Sequence, residues 1–300
     1  MSTPEKRVFV CLGYGEVGKI FATALADSGA IVRCFDTQFS PQEAGAGLAP
    51  IEGDKRIVTG ALAEVLSGAD IVLSMVTTSV AKDVAIDCAA HLEPGQIFLD
   101  LNSTHPDVKR KIGAIIAASG ATPLEGAVLG LVGATRAKTR TLLCGQGAAN
   151  TSELLNAHGF NCEPYAGEFG SASTFKMLRS VFSKGVEAIL LETLLAARKA
   201  GLEEDVWNEI RATFEQVPFD RMAANWLTSH PGACKRRRDE MVQVEQVLRD
   251  LGQPPTMTEA TTRIFERSCA QNLDAEFATS PSDYGAVLAA LEKGAPANSK

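Results

Sequence analysis

One lysine sits where chemistry would need a movable proton. Lys176 lies near the start of residues 167–201, GEFGSASTFKMLRSVFSKGVEAILLETLLAARKAG, which open on glycines and small residues and contain no proline. Phe175, Leu178, Phe182 and Ile189 recur there at helical spacing, so a long helix with one buried stripe is expected. An ammonium beside aromatics in such a helix either snorkels to water on its methylene stem or is held for chemistry. Held with a lowered proton affinity, it can take a proton from an oxygen and return it.

A second group of residues could hold a phosphate. Gly13-Tyr14-Gly15-Glu16-Val17-Gly18 follows a short apolar run and opens an amphipathic stretch that stops at Gly29. A second apolar run, Ile31-Val32-Arg33-Cys34-Phe35, ends at Asp36, 23 positions after Gly13. Strand, glycine turn, helix, strand and acid in this register form the dinucleotide fingerprint. Gly13 permits the tight turn, Gly15 lets backbone approach a pyrophosphate, and Gly18 lets the helix pack close to the strand. The free N–H groups and dipole of the helix N-terminus face the phosphates. Asp36 would accept from the ribose hydroxyls and repel a 2′-phosphate. Thr37, Gln38 and Phe39 supply no arginine, so NAD is favoured over NADP.

Hydroxyls form the third group. Residues 96–100 read as a buried strand followed by Leu101-Asn102-Ser103-Thr104-His105-Pro106. Pro106 suits the first turn of the next helix, which Ser103 or Thr104 would cap. Such hydroxyls at a strand's carboxyl end also lie where ligands bind in an open parallel sheet.

The elements that must position these groups alternate. Strands at residues 68–76, 96–100, 121–129, 139–144 and 160–165, with helices between them, predict an α/β fold. Its expected form is an N-terminal Rossmann doubly wound parallel sheet at residues 1–167. A long inter-domain helix then joins it to an all-α substrate and dimerisation domain at residues 168–300. Helices are expected at 203–215, 221–229, 237–251, 258–272 and 283–291, with Trp207 and Trp226 as core or dimer-contact residues.

Composition narrows the function classes. A chain of 300 residues with 45% hydrophobic and 22% charged residues is ordinary for a globular protein, and its net charge of −7 argues against nucleic acid or an anionic membrane as partner. Lys235-Arg236-Arg237-Arg238 is the one dense basic run and reads as a solvated helix start or an anion contact. Seven cysteines without a CxxC pair fit a reducing compartment, and four scattered histidines lack metal-ligand spacing. The N-terminus has no signal-like apolar core, and no apolar run reaches membrane-helix length. A cytoplasmic protein without a metal is expected. The long apolar helix faces predict a homodimer.

Assembled, these motifs resemble the β-hydroxyacid dehydrogenase family, which contains 3-hydroxyisobutyrate and 6-phosphogluconate dehydrogenases. The resemblance covers nearly the whole chain through GYGEVG with Asp36, through Asp100-Leu101-Asn102-Ser103-Thr104-His105-Pro106, through Glu125-Gly126-Ala127-Val128-Leu129-Gly130, and through GEFGSASTFK ending at Lys176. It is most similar to a branch with a phosphogluconate-dehydrogenase-like C-terminal domain. The resemblance implies an NAD(P)-dependent dehydrogenase transferring a hydride to or from the carbinol carbon of a small β-hydroxy acid or related polar alcohol, with Lys176 as general acid and base. It implies cofactor contacts at Gly13, Tyr14, Gly15, Glu16, Val17, Gly18, Asp36, Val76, Thr77, Asn102 and Thr104. Substrate contacts are implied at Ser103, Val128, Leu129, Gly130 and Ser180. Departures from the family pattern are Leu129 in place of a serine, Leu131 and Ala172 in place of glycines, and Ser180 in place of an asparagine. Two alternatives are a non-catalytic NAD-binding sensor or scaffold and an imine reductase, which shares the architecture and usually carries another residue at the lysine position.

Overall fold

The computed structural model describes residues 7–39, 47–277 and 279–294. The chain divides into two compact units, Met1–Ser180 and Val181–Lys300. In the first unit, β1 (Val8–Leu12), α1 (Glu16–Asp27) and β2 (Ile31–Phe35) make the opening crossover. A hairpin of β3 (Ala49–Ile51) and β4 (Asp54–Thr59) follows. Next come α2 (Leu62–Leu66), β5 (Ile71–Ser74), α3 (Ala81–Ala89), β6 (Ile97–Asp100), α4 (Pro106–Ala118) and β7 (Thr122–Val128). Short α5 (Val132–Thr135) precedes β8 (Arg140–Cys144), α6 (Ala148–Ala157) and β9 (Asn161–Pro164).

The strands lie in the order β3-β4-β2-β1-β5-β6-β7-β8-β9. Strand β1 is apolar along its whole length because both its faces are covered. Phe9 and Cys11 point into a core with Phe21 and Leu25 of α1, whereas Val10 and Leu12 point into another with Val65, Leu66 and Ile112. That period of two across a parallel sheet is the doubly wound arrangement. Because β2 and β5 flank β1 on opposite sides, the chain reverses direction of travel there and leaves a crevice at the strands' carboxyl ends.

The sheet is mixed at two places. Strands β3 and β4, and β7 and β8, run antiparallel. The β3–β4 hairpin was not anticipated from the pattern; it turns on Glu52-Gly53, with Gly53 at φ +91°, the left-handed region a two-residue hairpin loop requires.

Helix α7 (Ser171–Ala200), 30 residues and about 45 Å long, begins in the first unit and continues into the second. Gly201 at φ +75° closes it in the left-handed conformation common after helices. The second unit is all helical: α8 (Glu203–Gln216), α9 (Phe219–Thr228), α10 (His230–Asp250), α11 (Thr256–Ala270), α12 (Leu273–Glu276) and α13 (Tyr284–Lys293). Cys234, Leu248 and Cys269 are buried where α10 packs on α11.

Three expectations change. The apolar stripe of α7 is not enclosed by this chain: Leu178 is 67% exposed, Phe182 57% and Ile189 46%. Trp207 and Trp226, expected as core or dimer-contact residues, are about half exposed, which excludes the first of those two places. Helical spacing marks an apolar face but does not say what covers it. Third, α10 starts at His230, which places Lys235–Arg238 inside the helix instead of at its start. Each cation there is engaged: Lys235 with Asp274, Arg236 with Glu240, Arg238 with Asp239, and Arg237 with the Trp226 carbonyl and Ser229 Oγ. No helix among the described residues is long and apolar enough to cross a membrane.

Candidate active site

The glycine turn is built as tightly as its sequence requires. Gly13 has φ +88°, and a Cβ there would sit 2.5 Å from the Met75 carbonyl oxygen. A Cβ on Gly18 would lie 2.0 Å from the Gly13 oxygen, so α1 touches the turn through Gly18. Gly15 is different: nothing lies within 4 Å of the Cβ it lacks, and as N-cap of α1 it leaves the first N–H groups without a side-chain cap. A cleft of about 370 Å³ opens on this turn, lined by Gly13, Gly15, Glu16, Val17, Asp36 and Val76 among others. Open space over Gly15, a helix N-terminus and a carboxylate at the end of β2 fit a dinucleotide.

Asp36 is fixed by backbone. Its Oδ2 accepts the Tyr14 N–H at 2.6 Å and its Oδ1 the Gln38 N–H at 2.8 Å. Tyr14 turns its ring away from this cleft, onto Phe39 at 5.4 Å between centroids, with Lys19 above it at 5.7 Å. Burial, followed by nearby Cys34 and Asp54, pushes the Tyr14 hydroxyl up to about 12. Tyr14, an expected cofactor contact, therefore does not line this cleft and spends its N–H on Asp36, and Gly18 is buried.

A second cleft of about 500 Å³ continues the first, sharing Val17, Met75, Val76 and Thr77. It is lined beyond them by Thr78, Leu101, Asn102, Ser103, Val128, Gly130, Val132 and Lys176. Lys176 Nζ donates to Ser103 Oγ at 2.6 Å. Burial lowers its proton affinity, and the cations of Lys109 and Arg179 lower it further. An amine so placed releases its proton more readily than an ordinary lysine. A larger apolar groove of about 670 Å³ lies in the second unit, but Val181, Phe182, Ile189, Phe214 and Trp226 on its walls offer no acid or base.

Two carboxylates that open motifs in the sequence, and to which the sequence assigned no role, hold this arrangement. Asp100 ends β6 and is fully buried; its Oδ1 accepts the Asn102 N–H at 2.9 Å and Asn102 Nδ2 at 2.8 Å. Asn102 Nδ2 also reaches Ser74 Oγ at 2.9 Å, while its buried Oδ1 has no hydrogen-bond partner among the described residues. Glu125 on β7, also fully buried, accepts the N–H groups of Gly170 at 2.8 Å and Ala172 at 2.9 Å and the Ser173 hydroxyl at 3.0 Å. It thus closes the N-terminus of α7 one turn before Lys176. Lys109 on α4 meets Asp100 Oδ2 at 3.1 Å. The available signal was its spacing with Ile112 and Ile116, which puts a cation on an apolar helix face.

Other residues fall elsewhere than expected. The cap of α4 is His105, whose Nδ1 accepts the Asp107 N–H at 3.2 Å, rather than Ser103 or Thr104. With the cap supplied by His105, Ser103 is left to face Lys176. Thr104 is buried and does not line the cleft. Leu129 alternates away from Val128 and packs into a small core with Ala127, Leu142, Cys144 and Ala172. The period-two pleat of β7 explains this placement. Leu131 is 80% exposed. Ser180 Oγ donates to the Lys176 carbonyl at 2.9 Å, one turn back along the same helix.

Known proteins share this architecture. Residues 9–167 match the family described as NAD binding domain of 6-phosphogluconate dehydrogenase, and residues 197–268 match one described as a domain of unknown function. The 3-hydroxyisobutyrate dehydrogenase of Pseudomonas aeruginosa is 28% identical over 228 residues, covering 74% of this chain and 73% of that protein. A solved conserved protein, described as structurally similar to 3-hydroxyacid dehydrogenases, is 30% identical with TM-score 0.57, covering 87% of this chain and 96% of that one. The Streptomyces aurantiacus imine reductase, 18% identical with TM-score 0.73 over 94% of this chain and 99% of that one, shares the fold. With its nucleotide-binding half matched throughout, the chain belongs to the hydroxyacid-dehydrogenase family of NAD(P)-dependent oxidoreductases, built on the NAD binding domain of 6-phosphogluconate dehydrogenase.

Proposed function

We propose that the protein catalyses reversible oxidation of a small β-hydroxy acid or related polar alcohol at its carbinol carbon, with Lys176 as general base in oxidation and general acid in reduction. The observation that carries this reading is the Lys176–Ser103 contact at 2.6 Å in a cleft continuous with the glycine turn. Gly13, Gly15, Val17, Asp36, Val76, Thr77 and Asn102 would hold the dinucleotide, whose nicotinamide supplies the hydride acceptor and donor. Ser103 orients the Lys176 amine and shares its hydrogen bond with the substrate oxygen. In oxidation the neutral amine takes the hydroxyl proton; in reduction the ammonium returns it to the forming alkoxide. Val128, Gly130 and Val132 exclude water on the opposite wall.

NAD is the preferred cofactor in this reading. Asp36 is held at both oxygens by backbone N–H groups, so it is fixed to accept ribose hydroxyls and to repel a 2′-phosphate. The assembly is a homodimer of a cytoplasmic enzyme, supported by the apolar groove of the second unit and by seven free thiols. In this reading residues 1–167 serve the cofactor and residues 168–300, which begin just before α7, serve substrate and dimerisation. A panel of hydroxy acids, aldonates and cyclic imines with NAD(H) and NADP(H), followed at the reduced-nicotinamide absorbance, tests the reading. Turnover of imines alone, or tight NAD binding with no turnover, would overturn it.

A further inference from the structure

Lys109 has no exposed surface, yet it lies in the early turns of α4, where the helix dipole disfavours a cation. A buried ion pair adds little stability over apolar side chains of the same volume. Its place needs another account, and the sheet register gives one. Asp100 and Glu125 are register partners on parallel β6 and β7, so both buried carboxylates project to the same face. Asp100 holds Asn102, the neighbour of Ser103. Glu125 holds the first turn of α7, which carries Lys176. Each half of the Lys176–Ser103 pair therefore hangs from one of these two acids. Lys109 Nζ donates to the Asp100 carbonyl at 2.7 Å and meets Asp100 Oδ2 at 3.1 Å. Burial lowers its proton affinity, and Asp100, then Glu125, act against that fall.

We propose that Lys109 is a positioning residue for the reaction: its buried amine fixes the end of β6 through the Asp100 carbonyl and carboxylate and, through Asn102, holds Ser103 in hydrogen-bond contact with Lys176. This rests on the reading of Lys176 as the acid–base group. The charged groups that act on Lys176 are Lys109 on α4 and Arg179 on its own helix, and both depress its proton affinity, after burial itself. Removing Lys109 loosens the Asp100 loop, lets water reach Lys176 and removes a repelling cation. All three changes favour the ammonium form.

The test titrates Lys176 without needing turnover. The full chain is labelled with trace acetic anhydride across pH, and acetylation at Lys176 is read by mass spectrometry, since only the free amine reacts. In Lys109→Met the midpoint should move up by about half a pH unit or more, and Lys109→Arg, which keeps the charge, should keep the wild-type midpoint. Because Lys109→Met strands a buried carboxylate, Asp100→Asn/Lys109→Met is measured beside it. This neutral variant still lacks the bond to the Asp100 carbonyl and should also shift upward. A folded variant of either kind with the wild-type midpoint would overturn the proposal, as would an upward shift in Lys109→Arg. Should Lys176→Ala keep its turnover, the acid–base assignment fails on its own, and the titration still reports on Lys109.

Discussion

Glu125 accepts the backbone N–H of Ala172 at 2.9 Å, so a carboxylate on β7 closes the N-terminus of a helix that begins 46 residues later. A buried acid at that end meets both the unpaired N–H groups and the positive end of the dipole. Glu125→Ala would leave the Gly170 and Ala172 donors buried without an acceptor. We expect a loss of about 2–3 kcal/mol in unfolding free energy, read by urea denaturation, and a larger fall in turnover than in NAD affinity. Unchanged stability would refute the anchoring role.

The glycine turn yields a paired prediction. Gly18→Ala forces a Cβ against the Gly13 oxygen at 2.0 Å, so the turn must move, and both thermal stability and NAD affinity should fall. Gly15→Ala meets nothing within 4 Å, so the unliganded fold should melt as wild type does. Its methyl instead occupies space where a pyrophosphate would approach, and affinity for NAD should drop about tenfold or more. Calorimetric titration with NAD beside thermal melts checks both. A Gly15→Ala variant that binds NAD normally would show that the dinucleotide does not pass over this turn.

Asp36 should decide between the two nicotinamide cofactors. Its carboxylate is locked by the Tyr14 and Gln38 N–H groups and cannot swing away from a 2′-phosphate. Asp36→Ser removes the repelling charge, and Asp36→Arg adds an attracting one. The ratio of kcat/KM for NAD over NADP should fall about tenfold or more with either change. An unaltered ratio counts against the assignment.

Much of this site was legible because its requirements are local. Gly13, Gly15, Gly18 and Asp36 lie within one crossover, and close packing at Gly13 and Gly18 leaves few other residues that would serve. Lys176 was legible from the glycines ahead of it. Its supports were not: Glu125 reaches Gly170 across 45 residues, and Lys109 on α4 reaches Asp100 from inside the fold. A carboxylate in an apolar strand does not reveal its partner until the strand order is known. The β3–β4 hairpin was missed for a related reason, since three-residue β3 is too short to show a period. His105 took the cap from Ser103 and Thr104 because the position directly before Pro106 sets the cap, whatever hydroxyls precede it.

The lowered proton affinity of Lys176 fixes the direction of a pH profile. In oxidation the amine must be neutral, so kcat/KM falls as pH drops through its pKa. In reduction the ammonium must be present, so the rate falls as pH rises through the same value. Burial and two cations move that pKa below the ordinary lysine value of about 10.4, which brings the oxidation limb to lower pH. Ser103→Ala removes the hydroxyl 2.6 Å from Nζ and should lower kcat about 10- to 100-fold, with NAD affinity little changed. A limb at or above the ordinary lysine value would contradict the burial of the amine, and wild-type kcat in Ser103→Ala would remove its role.

The apolar groove of the second unit predicts an assembly. Phe182 of α7 and Phe219 of α9 stack edge to face at 5.5 Å, yet they are 57% and 48% exposed, and Trp226 beside them is 47% exposed. Aromatic surface left open on this scale is characteristic of an interface. A second copy would present the same face, since two-fold pairing matches a patch with itself. Wild-type protein should sediment as a dimer at micromolar concentration. Phe182→Glu would set two carboxylates into the joined faces and should give a folded monomer, because Phe182 belongs to none of the buried cores. A monomeric wild type, or a Phe182→Glu variant that remains dimeric, would place the contact elsewhere.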